Sequence, residues 1–156
     1  MEKIATCLWF DTQAEEAARF YTSLFDDSKI LEVSYYTEAG PGEPGSVLTV
    51  RFQLAGQPFL ALNGGPQFQF NEAVSLYVEC EDQAEVDRLW AALTEGGEES
   101  WCGWLKDRYG VSWQIIPKIM PRLLNDPDRE KAARVMQTML KMHKIDIQAL
   151  QDAYQG

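Results

Sequence analysis

The sequence predicts an α+β protein made of two successive strand-helix-strand-strand-strand units and a closing run of helices. Three observations predict it. An alternating strand followed by a capped amphipathic helix occurs twice, and a shift of 70 positions lays Thr12-Gln13-Ala14-Glu15 over Asp82-Gln83-Ala84-Glu85, Leu8 over Val78 and Phe20 over Trp90. The stretch from Trp101 to Pro117 reads as an aromatic hairpin, and beyond Pro117 the apolar residues repeat at helical spacing. The units are expected at about 1–66 and 67–117, with a helical extension over 118–156.

Composition narrows the functional classes. A chain of 156 residues buries enough apolar surface to fold without a staple. The three cysteines, Cys7, Cys80 and Cys102, are odd in number and follow no metal-ligand spacing, which points to a reduced, cytoplasmic protein. No apolar run reaches the length of a membrane span, and Met1-Glu2-Lys3-Ile4 leads into a strand without a signal-like pattern. A net charge of −10 with no basic stripe repels nucleic acid and anionic membranes, so neither is an expected partner.

Each element has a local reason. Ile4 to Phe10 alternates, with Ile4, Leu8 and Phe10 on one face and Ala5, Cys7 and Trp9 on the other. Asp11-Thr12 offers a helix cap, and Ala14, Ala17, Ala18, Tyr21, Leu24 and Phe25 make an apolar stripe with Glu15 and Glu16 in the first turn. Ile30 to Thr37 is a strand, and Glu38 to Ser46, rich in Gly and Pro, is a loop placed as a lid or pocket rim. Val47 to Leu54 and Pro58 to Asn63 are strands joined at Ala55-Gly56-Gln57. In the second unit Val74 to Cys80 is a strand, Asp82 caps a helix striped by Val86, Leu89, Trp90 and Leu93, and Gly96-Gly97 stops it. The hairpin follows, with strands from Trp101 to Leu105 and Val111 to Ile116 around a turn at Asp107 to Gly110, though 98–105 is short for two strands. Pro117 ends the ladder. In the tail, Asp126-Pro127 reads as a cap with proline at the first helical position, ahead of Ala132, Val135, Met136, Met139 and Leu140. Asp146 caps a last helix carrying Ile147, Leu150 and Tyr154.

The chain resembles the vicinal oxygen chelate superfamily of glyoxalases, bleomycin-resistance proteins and dioxygenases, and within it the PhnB-like branch labelled demethylubiquinone methyltransferase-like. The residues that carry the resemblance are Leu8-Trp9-Phe10-Asp11 leading to Phe20-Tyr21, Ser75-Leu76-Tyr77-Val78-Glu79-Cys80, Cys102 through Gln114, and Lys144-Ile145-Asp146-Ile147. The resemblance implies two curled mixed sheets around a concave cavity, and metal ligands on the first and last strands of each unit in the metal-dependent members. Those positions fall here at Ala5, near Ala61, at Ser75 and at Gln114, a set without the donors a metal needs. No metal and no other cofactor is therefore expected. The turns Asp11-Thr12-Gln13 and Glu81-Asp82-Gln83 lack the glycine of common methyl-donor sites, so the methyltransferase label has no motif behind it.

Strand alternation places Cys7, Trp9, Ser75, Tyr77, Glu79, Ser112 and Gln114 on the concave face, joined by Asn63, Trp101 and Trp104. Such a wall either grips a flat, partly aromatic small molecule or fills the cavity or a dimer seam with its own rings. Glu79 is the candidate general base, oriented by Gln114 or Ser75; the opposite reading leaves it solvated at a strand end. Cys102 is either a nucleophile or a small half-buried residue. Three functions remain open: a metal-independent small-molecule binder, a metal-independent enzyme of unknown substrate using Glu79, and a structural dimer. A homodimer is expected from the terminal helices and from the superfamily's habit of pairing or exchanging units.

Overall fold

The computed structural model describes residues 3–156. The chain forms two compact units, one running to Phe70 and the other from Asn71 to Gly156.

The first unit contains β1 (Thr6–Phe10), α1 (Ala14–Thr22), β2 (Lys29–Tyr35), β3 (Val47–Leu54) and β4 (Gln57–Asn63). Its sheet has the order β1-β4-β3-β2, with β1 parallel to β4 and the remaining pairs antiparallel. The tight β3–β4 connection uses Ala55 and Gly56, both at positive φ (49° and 79°), as a two-residue hairpin with the twist of its strands requires. Period-2 alternation buries Leu8, Phe10, Val50, Phe52, Leu54 and Ala61 against Ala14, Ala17, Ala18 and Tyr21 of α1. Three alanines on that stripe let the helix lie close to the sheet. The structure departs from expectation at both ends of this pattern. Ile4 precedes β1 and is exposed, and α1 stops at Thr22, so Leu24 and Phe25 fall beyond it.

The second unit repeats the topology with β5 (Ser75–Cys80), α2 (Gln83–Thr94), β6 (Glu98–Glu99), β7 (Trp104–Lys106) and β8 (Ser112–Pro117), in the order β5-β8-β7-β6. Asp82 caps α2 by accepting from Glu85 N at 2.9 Å, while Glu85 Oε1 accepts from Glu81 N at 2.7 Å. The short segment before Leu105 resolves into a two-residue β6, a turn and a three-residue β7. Trp101 therefore lies in the turn and not in a strand. Cys102 and Gly103 both adopt positive φ (60° and 85°), held by bonds from Cys102 N to Met142 O at 2.8 Å and from Gly103 N to His143 O at 2.9 Å.

The tail folds as α3 (Ile119–Leu124), α4 (Arg129–Met139) and α5 (Ile147–Gln155) on this same unit. Met120, Val135, Met139, Ile145 and Leu150 form one cluster with Ile116 of β8, and each such buried side chain contributes about 1.5–3 kcal/mol. Two details differ from expectation. Helix α3 was not anticipated, and α4 is capped by Asp128, whose side chain accepts from Glu130 N and Lys131 N, and not by Asp126. Met136 and Leu140 of the expected stripe remain exposed. Among the described residues no helix is long and apolar enough to cross a membrane.

Candidate functional site

The strands of the second unit set out a grid of side chains on the sheet face away from α2. Register pairs Ser75 with Ser112 and Tyr77 with Gln114 between β5 and β8, and pairs Lys106 with Ser112 and Trp104 with Gln114 between β7 and β8. Alternation puts these six on one face as two rows, Lys106, Ser112, Ser75 and Trp104, Gln114, Tyr77. Beyond them Ile116 is sealed into the tail's apolar cluster, so the tail bounds that end of the face. Glu79, level with Ile116 by register, is exposed.

The polar members of the grid are ordered. Gln114 Nε2 donates to Ser75 Oγ at 3.0 Å, which fixes the amide between the Trp104 and Tyr77 positions. Lys106 Nζ lies 3.0 Å from Glu72 Oε1, and this partner holds the Glu72 carboxyl below its ordinary range. Burial first, and then the charge of Glu79, raise the Tyr77 hydroxyl above its ordinary value. Ser112 is 1% exposed, and its buried Oγ has no hydrogen-bond partner.

The other expected site residues are placed differently. Trp101 stacks on the His143 imidazole with ring centres 4.0 Å apart, while His143 Nδ1 donates to Ser100 O at 2.8 Å, so this ring belongs to the junction of turn and tail. In the first unit Trp9 is half-buried, donates from Nε1 to Gly65 O at 2.9 Å and meets Phe68 edge to face. Cys7 is exposed as a residue, and the partial desolvation of its thiol raises it above its ordinary value. Asn63 serves the scaffold: its Oδ1 accepts from Ala14 N at 2.8 Å and caps α1, its Nδ2 donates to Val47 O at 3.1 Å, and its carbonyl accepts from the Tyr36 hydroxyl. The cap expected from Asp11-Thr12 is thus supplied across the sheet. Cys102 is half-buried against the tail cluster.

Sequence reasoning missed one grid residue and foresaw only the rim of a second feature. Lys106 joins the grid only through its pairing with Ser112, which a three-residue strand hides. The first unit also holds a cleft of about 660 Å³, whose lining includes Tyr36, Glu43 and Ser46 of the β2–β3 region together with Asp11, Glu15 and Glu16, and no Lys, Arg or His. The Gly- and Pro-rich loop expected as a lid or pocket rim does line this cleft, through Pro41 to Glu43 and Ser46, and Asn63 lines it too; what the sequence did not show is that Asp11, Glu15 and Glu16 face it.

The superfamily's metal positions can be tested on the registers. Thr6 pairs with Phe59 and Cys7 with Leu60, whereas Leu76 pairs with Trp113 and Tyr77 with Gln114. The counterpart of Gln114 is therefore Leu60, one residue from the expected Ala61, which points into the core. Ala5 and Leu60 carry no donor, and Ser75 and Gln114 are bonded to each other. No group of three His, Cys, Asp or Glu among the described residues is placed to hold a metal ion. This donor set does not fit a chelated metal.

Two such units, each with its first strand parallel to its last, define the vicinal oxygen chelate (glyoxalase-like) fold. The chain belongs to the PhnB-like family whose model is described as 3-demethylubiquinone-9 3-methyltransferase and matches residues 2–116. The tail, with its Lys144 to Ile147 stretch, lies beyond the matched residues. The PhnB protein of Bacillus cereus, which carries the same methyltransferase name, is 42% identical over 74% of this chain and 99% of its own, with a TM-score of 0.69. Protein PA1353 of Pseudomonas aeruginosa shares the fold at 20% identity, covering 76% of this chain and 98% of its own, with a TM-score of 0.62. The fosfomycin resistance protein FosX of Listeria monocytogenes does so at 13% identity, covering 78% and 96%, with a TM-score of 0.52. No curated protein matches the chain. The turns after β1 and β5, where a methyl-donor motif belongs, contain no glycine, so the methyltransferase name has no support in this chain's residues.

Proposed function

We propose that the chain is a metal-independent binding protein that takes a small, flat, partly aromatic molecule on the sheet face of its second unit. The observation that carries this reading is the row Trp104, Gln114, Tyr77, an amide fixed by Ser75 between two ring-bearing positions. Rings supply contact area at low entropic cost, and one ordered amide orients the ligand. The exposed position of Glu79 gives a general-base role no burial to draw on. The homodimer and the cytoplasmic location remain part of the proposal; Leu31 and Tyr35, both exposed on the edge strand β2, support pairing.

Native mass spectrometry of freshly purified protein, followed by a thermal-shift screen of aromatic compounds, tests the reading. A bound or stabilising aromatic whose affinity falls about tenfold or more in Trp104→Ala is the expected result. The proposal is lost if no aromatic binds at millimolar concentration, or if Trp104→Ala binds as wild type does. Sedimentation velocity at micromolar concentration reads the dimer, and a monomer there removes it.

A further inference from the structure

We infer that the ligand of this face carries a ring-borne carbonyl oxygen, and that the row Lys106, Ser112, Ser75 receives it; this inference rests on the binding reading above. The starting point is the Ser112 hydroxyl, buried and without a partner. Leaving such a group unsatisfied is destabilising, and alanine in its place would avoid that cost. A serine held there is accounted for when a further oxygen completes its bonding.

The neighbours define which oxygen. Ser75 Oγ accepts from Gln114 and keeps its own proton to donate. Lys106 is engaged by the Glu72 carboxylate and carries three ammonium protons, of which that partner uses one. Ser112 stands between them in register, and adjacent strands lie about 4.8 Å apart. Of the three, Ser112 is the one without a partner, so it is the donor that an acceptor oxygen gains, with Ser75 and Lys106 flanking it. The chain's net charge of −10 argues against a carboxylate or phosphate, and among neutral groups a ring-borne carbonyl is the strong acceptor that suits this donor. The second row holds the ring, and because the tail cluster closes the face beyond Gln114 at Ile116, the polar end of the ligand points toward Ser112. The Lys106 side chain, partly exposed and paired with the exposed Glu72, is the neighbour whose displacement admits it.

The test compares 2-acetylnaphthalene with 2-ethylnaphthalene, which differ by a carbonyl in place of a methylene, using calorimetric titration of the full chain. Wild type is expected to bind the ketone about tenfold more tightly, the worth of one hydrogen bond, and Ser112→Ala to bind the two alike while melting at or above wild type. A measurement needing no variant accompanies it: the stretching frequency of the ¹³C-labelled carbonyl, expected lower when bound than in an apolar solvent. Equal affinities in wild type, a ketone preference that survives in Ser112→Ala, or an unshifted carbonyl stretch each overturn the inference. If in those cases both compounds bind and Trp104→Ala weakens both, the binding reading stands alone. If neither compound binds wild type while another aromatic of the screen does, this inference falls and the binding reading stands; if no aromatic binds at all, both readings fall.

Discussion

Replacing Asp107 by Asn probes how the hairpin that carries most of the grid is held. Asp107 is 3% exposed at the start of the turn between β7 and β8. Its Oδ1 accepts from Tyr109 N at 2.8 Å and Val111 N at 3.1 Å, and its Oδ2 accepts from Trp113 Nε1 at 2.9 Å. Donors thus converge on both oxygens. Asparagine has the same shape but one donor end, so either rotamer sets NH₂ against N–H. With the carbonyl kept for the two backbone amides, the new NH₂ is set against the indole N–H of Trp113, itself 1% exposed, in place of the acceptor it had. That loss costs about 1–3 kcal/mol, and weakening two charge-assisted bonds to neutral ones adds about 1 kcal/mol or more. Relief from burying a charge offsets part of this. The expected net loss is about 2–3 kcal/mol, or roughly 4–12 °C in Tm for a chain of this size. Urea unfolding followed by circular dichroism and tryptophan fluorescence reads it, and probe affinity should fall in parallel because Trp104, Lys106, Ser112 and Gln114 flank this turn. A variant within about 0.5 kcal/mol of wild type would refute the donor-convergence argument.

Gly103→Ala should destabilise by about 1–3 kcal/mol, because φ is +85° and a Cβ would lie 2.8 Å from Ile116 Cδ1 and 2.9 Å from Ile115 O; a neutral urea midpoint would contradict this. Hydrogen bonds from Asp128 N–H, and then from the Tyr154 hydroxyl, hold the Asp126 carboxyl below its ordinary value, and the same Tyr154–Asp126 bond is the first cause raising the Tyr154 hydroxyl. The Asp126 contribution is therefore full above about pH 3.9 and lost as pH falls through the lower folded value, and the Tyr154 contribution is full below about pH 10 and lost as pH rises through the higher one. Tyr154→Phe should flatten the alkaline loss and reduce the acid one, as read by Tm against pH; an unchanged profile would remove the tie. Burial, as the largest cause, pushes the Cys80 thiol up to about 12, so iodoacetamide at pH 8 should leave Cys80 unmodified in the native protein and modify it in urea, as peptide mass spectrometry would show.

The repeat was legible because topology is written twice in the same order. The shift that aligns Leu8 with Val78 also aligns β1 with β5 and α1 with α2 as the structure has them. What the text hid depends on partners far along the chain. The cap of α1 is Asn63, 49 positions from the amide it serves. Trp101 alternates locally like a strand residue, yet the carbonyls of Met142 and His143 draw the next two residues into positive φ and turn the chain there. Helix α3 was obscured by Pro121, which sits in its first turn, where its missing N–H is no loss. Asp126 and Asp128 both have capping chemistry, and only the fold decides that Asp126 supports Asp128. At the site, alternation found the row of Gln114 but not Lys106.

Comparison of equivalent positions shows how the two units differ on this face. By register, Gln114 corresponds to Leu60 and Ser112 to Pro58 on the last strand, and Trp104 and Lys106 correspond to Arg51 and Gln53 on the strand beside it. In the first unit that column is therefore apolar, Arg51 faces Glu32 at 3.8 Å, and Gln53 Nε2 donates to Asp27. Its polar groups are satisfied within the unit and its central pair offers a ligand nothing but surface. The second unit leaves a hydroxyl unpaired, an amide oriented by a neighbour and an ammonium with protons to spare at the same four positions. Identical topology thus yields one face that is finished and one that is not. Chelation asks both units for donors, and the alanine and leucine of the first supply none, so a single substitution at Ser75 or Gln114 cannot build a metal site. The oriented amide and the unpaired hydroxyl are instead the groups on which the proposed recognition of a neutral molecule by hydrogen bonding rests.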